Sequence, residues 1–135
     1  MLTIAFIFAT KGCDPDKDCT VIRSENITVH VVGVSTYSQA VKAAKNFKEK
    51  GCMAIELCPA FGVKGVAHVK EAVGENIPVG VVRFDVVPAL GGQSGDVLFD
   101  DMDQHEEKNQ EKNADDALEK LISRIVKEVT GSASY

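Results

Sequence analysis

The sequence contains no tryptophan and only two tyrosines. Proteins that hold single-stranded nucleic acid stack its bases on several exposed aromatic faces, and this chain is poorly supplied with them. Positive charge is not concentrated either. Fifteen Lys and Arg stand against twenty Asp and Glu, a net charge of −5. No predicted face gathers a basic cluster able to neutralise phosphates, so no nucleic-acid partner is expected. No stretch approaches the roughly 20 apolar residues that span a bilayer, and no membrane partner is expected. Leu2 to Ala9 is apolar but short. No cationic region precedes it and no small-residue cleavage site follows it, so it reads as a strand rather than a signal peptide. The expected compartment is the cytosol, where Cys13, Cys19, Cys52 and Cys58 are thiols. Five residues separate the members of each cysteine pair. In an extended strand Cys52 and Cys58 stand about 20 Å apart, which is no zinc geometry. No internal repeat is present.

What is there suits one soluble domain. Its 135 residues, 44 % hydrophobic and 26 % charged, can bury a core without metal or disulfide staples. Leu2–Ala9 is nearly continuous in apolar residues, as in a parallel strand covered on both faces. Asp14 as N-cap, Pro15 at the first helical position and Asp16 and Asp18 in the first turn predict a short helix over 15–24. Ile27–Val34 alternates at first and reads as an edge strand. Ser35 or Thr36 caps a helix whose stripe is Tyr37, Ala40, Val41, Ala44 and Phe47, ending at Gly51. Cys52–Cys58 is a third strand, Gly62–Val73 a helix, and Ile77–Asp85 a fourth strand with Pro78 at its start. The expected α/β core is residues 1–99. Residues 100–113 form an acidic polar linker or a helical extension. Residues 114–131 form an amphipathic helix striped by Leu118, Leu121, Ile122, Ile125 and Val129, which packs on the core or on a neighbouring subunit.

Strand and helix alternate four times. That predicts an α/β fold with a four-stranded parallel sheet in the order 2-1-3-4, half of a flavodoxin-like sheet, with helices on both faces. The Val-rich fourth strand makes a poor natural edge. The last helix or another subunit should cover it, so a homo-oligomer is expected.

Ligands of open parallel sheets bind at the C-terminal ends of the strands. There the third strand carries Glu56 and Cys58, and the fourth carries Arg83 and Asp85. Neighbouring register would form two polar layers, Glu56 with Arg83 and Cys58 with Asp85. The pair Glu56–Arg83 is either a structural ion pair that fixes register or an anion clamp oriented by Glu56. Asp85 is either an acid–base group or metal ligand, or a cap for the loop that follows. Cys58 at a strand end faces a helix N-terminus, a place that can activate a thiol; an inert packed thiol is the alternative. Gly62 and Gly65 could open backbone amides to an anion. The run Gly91-Gly92-Gln93-Ser94-Gly95-Asp96 could form a backbone nest for the same anion, a lid, or a plain surface loop. It lacks the Walker lysine and a following helix, so it is not a P-loop. His30 and His68 read as surface residues.

Asp14, Asp16, Asp18 and Glu25 match acidic positions of a calcium loop, but Cys19 stands where that loop needs glycine. Besides Asp85 they are the metal candidates. No cofactor motif is found, and no cofactor is expected.

Three segments together resemble a group of small bacterial α/β proteins known as a domain of unknown function: Ile55-Glu56-Leu57-Cys58-Pro59-Ala60-Phe61-Gly62, Val79-Gly80-Val81-Val82-Arg83-Phe84-Asp85 and Gly92-Gln93-Ser94-Gly95-Asp96. The resemblance covers residues 2–99 and implies a compact α/β domain without an assigned activity. It also implies histidines after the Arg-Phe-Asp segment and a lysine in the loop. Here those places hold Val86, Val87 and Gln93, which removes acid–base candidates. The expected function is binding of a small anionic metabolite by Arg83, Gly62, Gly91, Gly92, Ser94, Gly95 and Asp96. The alternatives are a lyase or isomerase that uses Glu56 or Asp85, and an oligomeric assembly protein whose polar layer is only structural.

Overall fold

The computed structural model describes residues 1–84 and 87–131, with the backbone alone for 103–111. Residues 1–101 and 102–135 are two separate compact units. The first unit holds a five-stranded sheet in the order β2-β3-β1-β4-β5. Its strands are β1 (Leu2–Ala9), β2 (Cys19–Arg23), β3 (Ile27–Val34), β4 (Ala54–Leu57) and β5 (Val79–Val81). Helices α1 (Tyr37–Glu49) and α2 (Val63–Val73) connect β3 to β4 and β4 to β5. A single 3-10 turn, Pro88–Leu90, and a short helix α3 (Gly95–Phe99) follow.

The sheet departs from the expected four strands in number and order, because the segment foreseen as a helix over 15–24 supplies a strand. The Asp14-Pro15 signal makes a turn instead. The Asp14 carboxylate accepts the Asp16 amide at 3.0 Å, and the Asp18 carboxylate accepts the Asp14 amide at 2.8 Å. Local side-chain bonds of this kind compete with helix. The β-branched run Thr20-Val21-Ile22 then favours a strand. As β2 it pairs antiparallel with β3, Val21 lying beside His30. The other neighbouring pairs are parallel.

Within residues 1–101 this one change also removes the expected helices on both faces. The links β3–α1–β4 and β4–α2–β5 step across the sheet in one direction. Right-handed crossovers therefore put both helices on one face, where they pack against each other. The link from β1 to β3 steps the other way, and a helix there would have covered the second face. That link is occupied by β2.

The core consequently lies on one side of the sheet. Ala5, Ile7, Val34, Ile55 and Leu57 meet Tyr37, Ala40 and Ala44 of α1 and Val69 of α2, all fully buried. Each large side chain among them contributes about 1.5–3 kcal/mol by leaving water. Helix α1 starts where Thr36 accepts the Gln39 amide, and the Gln39 side chain reaches back to the Ser35 amide at 2.8 Å. Helix α2 ends where Lys70 bonds the carbonyls of Gly74 and Ile77, at 3.1 and 2.8 Å. That ammonium neutralises the helix C-terminus and sets the path into β5.

The second unit is one helix, α4 (Met102–Gly131), 30 residues long. It includes residues 102–113. Leu118, Leu121, Ile122, Ile125, Val126 and Val129 form a stripe along it, each more than half exposed. Among the described residues no helix is long and apolar enough to cross a membrane.

Candidate functional site

The C-terminal ends of β4 and β5 open into a cleft of about 410 Å³. Arg83, Gly62, Gly92, Ser94 and Gly95, all expected ligand residues, line it. Phe61, Val63, Val66, Val81, Val82 and Phe84 make its apolar wall, and Gln93 its second neutral polar side chain. The strand ladder delivers Arg83 to this place. The Val82 amide still donates to the Leu57 carbonyl at 3.0 Å, and Arg83 follows as the chain leaves the sheet.

Register corrects the expected polar layer. Glu56 lies beside Gly80, and Leu57 beside Val81, so Arg83 stands three residues beyond the partner of Glu56. Both are exposed, and among the described residues they form no ion pair with each other. Glu56 points to the face of the sheet opposite the helices, with Phe6 of β1 beside it and Val31 of β3 one strand further on. Asp85, and with it the expected Cys58–Asp85 layer, falls outside the described residues. The Cys58 sulfur accepts the Ala9 amide at 3.4 Å, which ties β4 to the end of β1. Neither Glu56 nor Cys58 lines the cleft.

The glycine-rich loop is a clamp as much as a rim. Its first half folds on itself. Gly91 and Gly92 have φ of 62° and 77°, a region where glycine avoids the steric cost of a side chain. The amides of Gly91, Gly92 and Gln93 donate to the loop's own Pro88, Val87 and Leu90 carbonyls at 3.0–3.1 Å. The expected anion nest at these residues is therefore already closed.

The second half grips the two helices. Gly62 at the N-cap of α2 has no side chain to offer, and the Asp96 carboxylate takes over the role from a distance. It accepts the amides of Lys64 and Gly65 at 3.0 and 3.1 Å, which satisfies two orphan donors at the positive helix end. The anion expected near Gly62 and Gly65 is thus the protein's own Asp96, which is a cap here and not a lining residue of the cleft. Tyr37, wholly buried, completes the arrangement. Its hydroxyl accepts the Gly62 amide at 3.0 Å and stands 3.0 Å from the Ala60 carbonyl and 3.1 Å from Asp96, the two oxygens that compete for its proton. Burial, with Asp96 nearby, pushes the Tyr37 hydroxyl far above its usual range, although the Gly62 amide pulls the other way. It stays a donor at any working pH.

Ser94 caps α3 by accepting the Asp96 amide at 3.2 Å. Asp101 accepts the amide and hydroxyl of Ser38 in the first turn of α1, at 3.0 and 2.6 Å. Asp100, its side chain 6 % exposed, meets His68 at 3.2 Å and Lys64 at 3.9 Å. Sequence reasoning missed Tyr37, His68, Asp100 and Asp101. The available signal was the run of acids Asp96, Asp100 and Asp101 after a Ser-Gly pair, which is acidic cap chemistry.

A larger groove, about 730 Å³, runs between β2 and α1 past His30, Lys42, Phe47 and Lys50. It is the uncovered flank of an edge strand, away from the strand ends where ligands of parallel sheets collect, and the smaller cleft is the better candidate. Asp14 and Asp16 border that groove. Asp14 is engaged by the Asp16 amide and by Lys17 at 3.7 Å. Among the described residues no group of three acidic, His or Cys side chains could hold a metal, so Asp14, Asp16, Asp18 and Glu25 do not assemble into one. His30, read as a surface residue, is half-buried against Phe47, ring centroids 5.5 Å apart. Burial, then Lys50 and Arg23, lowers its pKa.

No curated protein and no solved structure matches the chain. A family model does match, over residues 2–97. The chain belongs to that family, described as a family of unknown function (DUF6506).

Proposed function

We propose that the protein binds a small organic anion in the cleft at the ends of β4 and β5. The observation that carries this reading is the setting of Arg83. An exposed guanidinium stands among Val63, Val81, Val82 and Phe84, which are 74 %, 37 %, 45 % and 53 % exposed. Exposed apolar side chains gathered beside one cation suit a ligand with an apolar body and a carboxylate or phosphate head. Arg83 would take the head, with two parallel N–H donors matched to its oxygens. Gln93 supplies a neutral donor at the rim, and the aromatic and valine wall covers the body. These groups bind, orient and exclude water, which is the work of a binding module.

The reading is tested by isothermal titration of benzoate, hexanoate and phenyl phosphate into the protein and into Arg83→Ala. At least one probe is expected to bind the native chain, and the variant should lose about 1.5–3 kcal/mol, the worth of a charge-assisted hydrogen bond. Equal affinity in the two proteins, or no binding of any anion by the native chain, overturns it.

A further inference from the structure

The larger groove, about 730 Å³, escapes the rule that sends ligands to the ends of parallel strands, because β2 runs antiparallel to β3. Its volume is in the range of small-molecule sites, and its chemistry changes along its length. Asp14 and Asp16 line one end. The Ser35 hydroxyl holds the Cys13 carbonyl, which keeps these acids at the start of α1. Lys50, the C-cap of α1, lines the other end. Between them Gln39, Lys42 and Asn46 follow at helical spacing, so that one polar stripe of α1 forms the wall. The floor is apolar and aromatic. Val21, 40 % exposed, lies beside His30 in the ladder, and the His30 ring stands 5.5 Å from that of Phe47. Among the described residues Asp14 and Asp16 are the only carboxylates that line the groove, and Lys42 and Lys50 the only lysines or arginines. Lys50 and Arg23 both act on the His30 imidazole, so basic groups converge at the end away from the acids.

We propose that this groove binds a short peptide with free ends, extended along β2 and α1, its carboxylate at Lys50 and His30 and its ammonium at Asp14 and Asp16. The lengths agree. From Gln39 to Lys50 the helix rises about 16 Å. Three extended residues span about 10 Å, which leaves each terminus within reach of an Asp or Lys side chain. The wall suits a peptide body. The Gln39 oxygen accepts the Ser35 amide at 2.8 Å, and its NH2 remains a donor for a peptide carbonyl. Asn46 can both donate and accept, and Lys42 adds a donor between the ends. Val21 and Phe47 offer an apolar surface to the middle side chain. A simple anion would satisfy one end of this arrangement, and the apolar stripe of a helix neither.

The test is titration of the tripeptide Ala-Val-Ala into the full chain, followed by the His30 ring resonances in NMR. The same peptide is compared with its C-terminus amidated, with its N-terminus acetylated, and with both ends blocked. The free peptide should bind, and its carboxylate should raise the His30 pKa, which burial, Lys50 and Arg23 hold low. Amidation should weaken binding about tenfold, the worth of a charge-assisted hydrogen bond, and abolish the rise. Acetylation should cost about threefold, as for an exposed ion pair, because Asp14 already engages the Asp16 amide and Lys17. Lys50→Ala and Asp16→Asn change exposed side chains, so folding should survive. They should reproduce amidation and acetylation in turn, and Lys50→Ala should weaken the amidated peptide no further. No binding of the free peptide, equal binding of the free and doubly blocked peptides, binding without a rise in the His30 pKa, or native affinity in both variants overturns the proposal.

Discussion

Residues 87–93 and 94–101 are adjacent halves of one segment, and they differ in how their polar groups are satisfied. The first half turns its amides inward onto its own carbonyls and borders the cleft with exposed side chains. The second half sends three carboxylates into the helices: Asp96 to the start of α2, Asp101 to the start of α1, and Asp100 to His68. A glycine- and acid-rich loop can look like a ligand site throughout, yet half of it is a set of remote helix caps. What distinguishes the halves is accessibility. A carboxylate that already accepts two backbone amides and a phenol has little capacity for a ligand, whereas the exposed Arg83 guanidinium beside an apolar wall has no ion-pair partner among the described residues.

The sharpest way to break this contrast is Gly95→Ala. A Cβ at Gly95 would collide with the Ala60 carbonyl and come within 2.9 Å of the Tyr37 hydroxyl. Backbone cannot give way as a flexible side chain can, so the loop would have to lift from α2. The expected loss is about 3 kcal/mol, the upper part of the range for overpacking, read as the midpoint of urea unfolding. A loss below about 0.5 kcal/mol, the size of an ordinary surface change, would mean the second half is not clamped.

Asp96→Asn comes next. The amide keeps one acceptor oxygen but loses the charge at the helix end and sets an NH2 against a backbone N–H. Losing part of the cap and the dipole interaction should cost about 1–2 kcal/mol. Probe binding in the cleft should be unchanged once the variant is compared at equal folded fraction. An affinity that falls in step with the stability would instead show that Asp96 belongs to the ligand.

How far the molecule could be read beforehand follows the same division. Helix α1 was legible because its signals are local: Thr36 as cap, a stripe at helical spacing, and a glycine at the end. Placing Arg83 and Ser94 beside one cleft was also accessible, since open parallel sheets direct ligands to one edge. Strand β2 was hidden by a real conflict. Asp14 and Pro15 are good helix starters, and the outcome was decided by β-branched residues that found a free edge on β3, a tertiary circumstance. Register was likewise invisible. Nothing local says that Glu56 sits beside Gly80, and a shift of three residues separates an ion pair from two exposed charges. Tyr37 was counted correctly as a core position, but its hydroxyl finds partners 23 and 59 residues away, a distance no spacing rule covers.

The smallest expected effect falls where the two halves meet. Ser94 lines the cleft through its position and caps α3 through its hydroxyl. If capping is its work, Ser94→Ala should cost about 1 kcal/mol, toward the low end because α3 has only five residues. Ser94→Asp, which preserves a capping oxygen, should restore that stability. Affinity for the anionic probes then separates the roles. The alanine variant should bind as the native protein does. The aspartate variant should bind more weakly, because a second negative charge now faces the ligand across the same cleft as Arg83. Alanine at 94 with full stability and lost affinity would move Ser94 from the clamp to the site, and the boundary between the two halves would shift one residue along the chain.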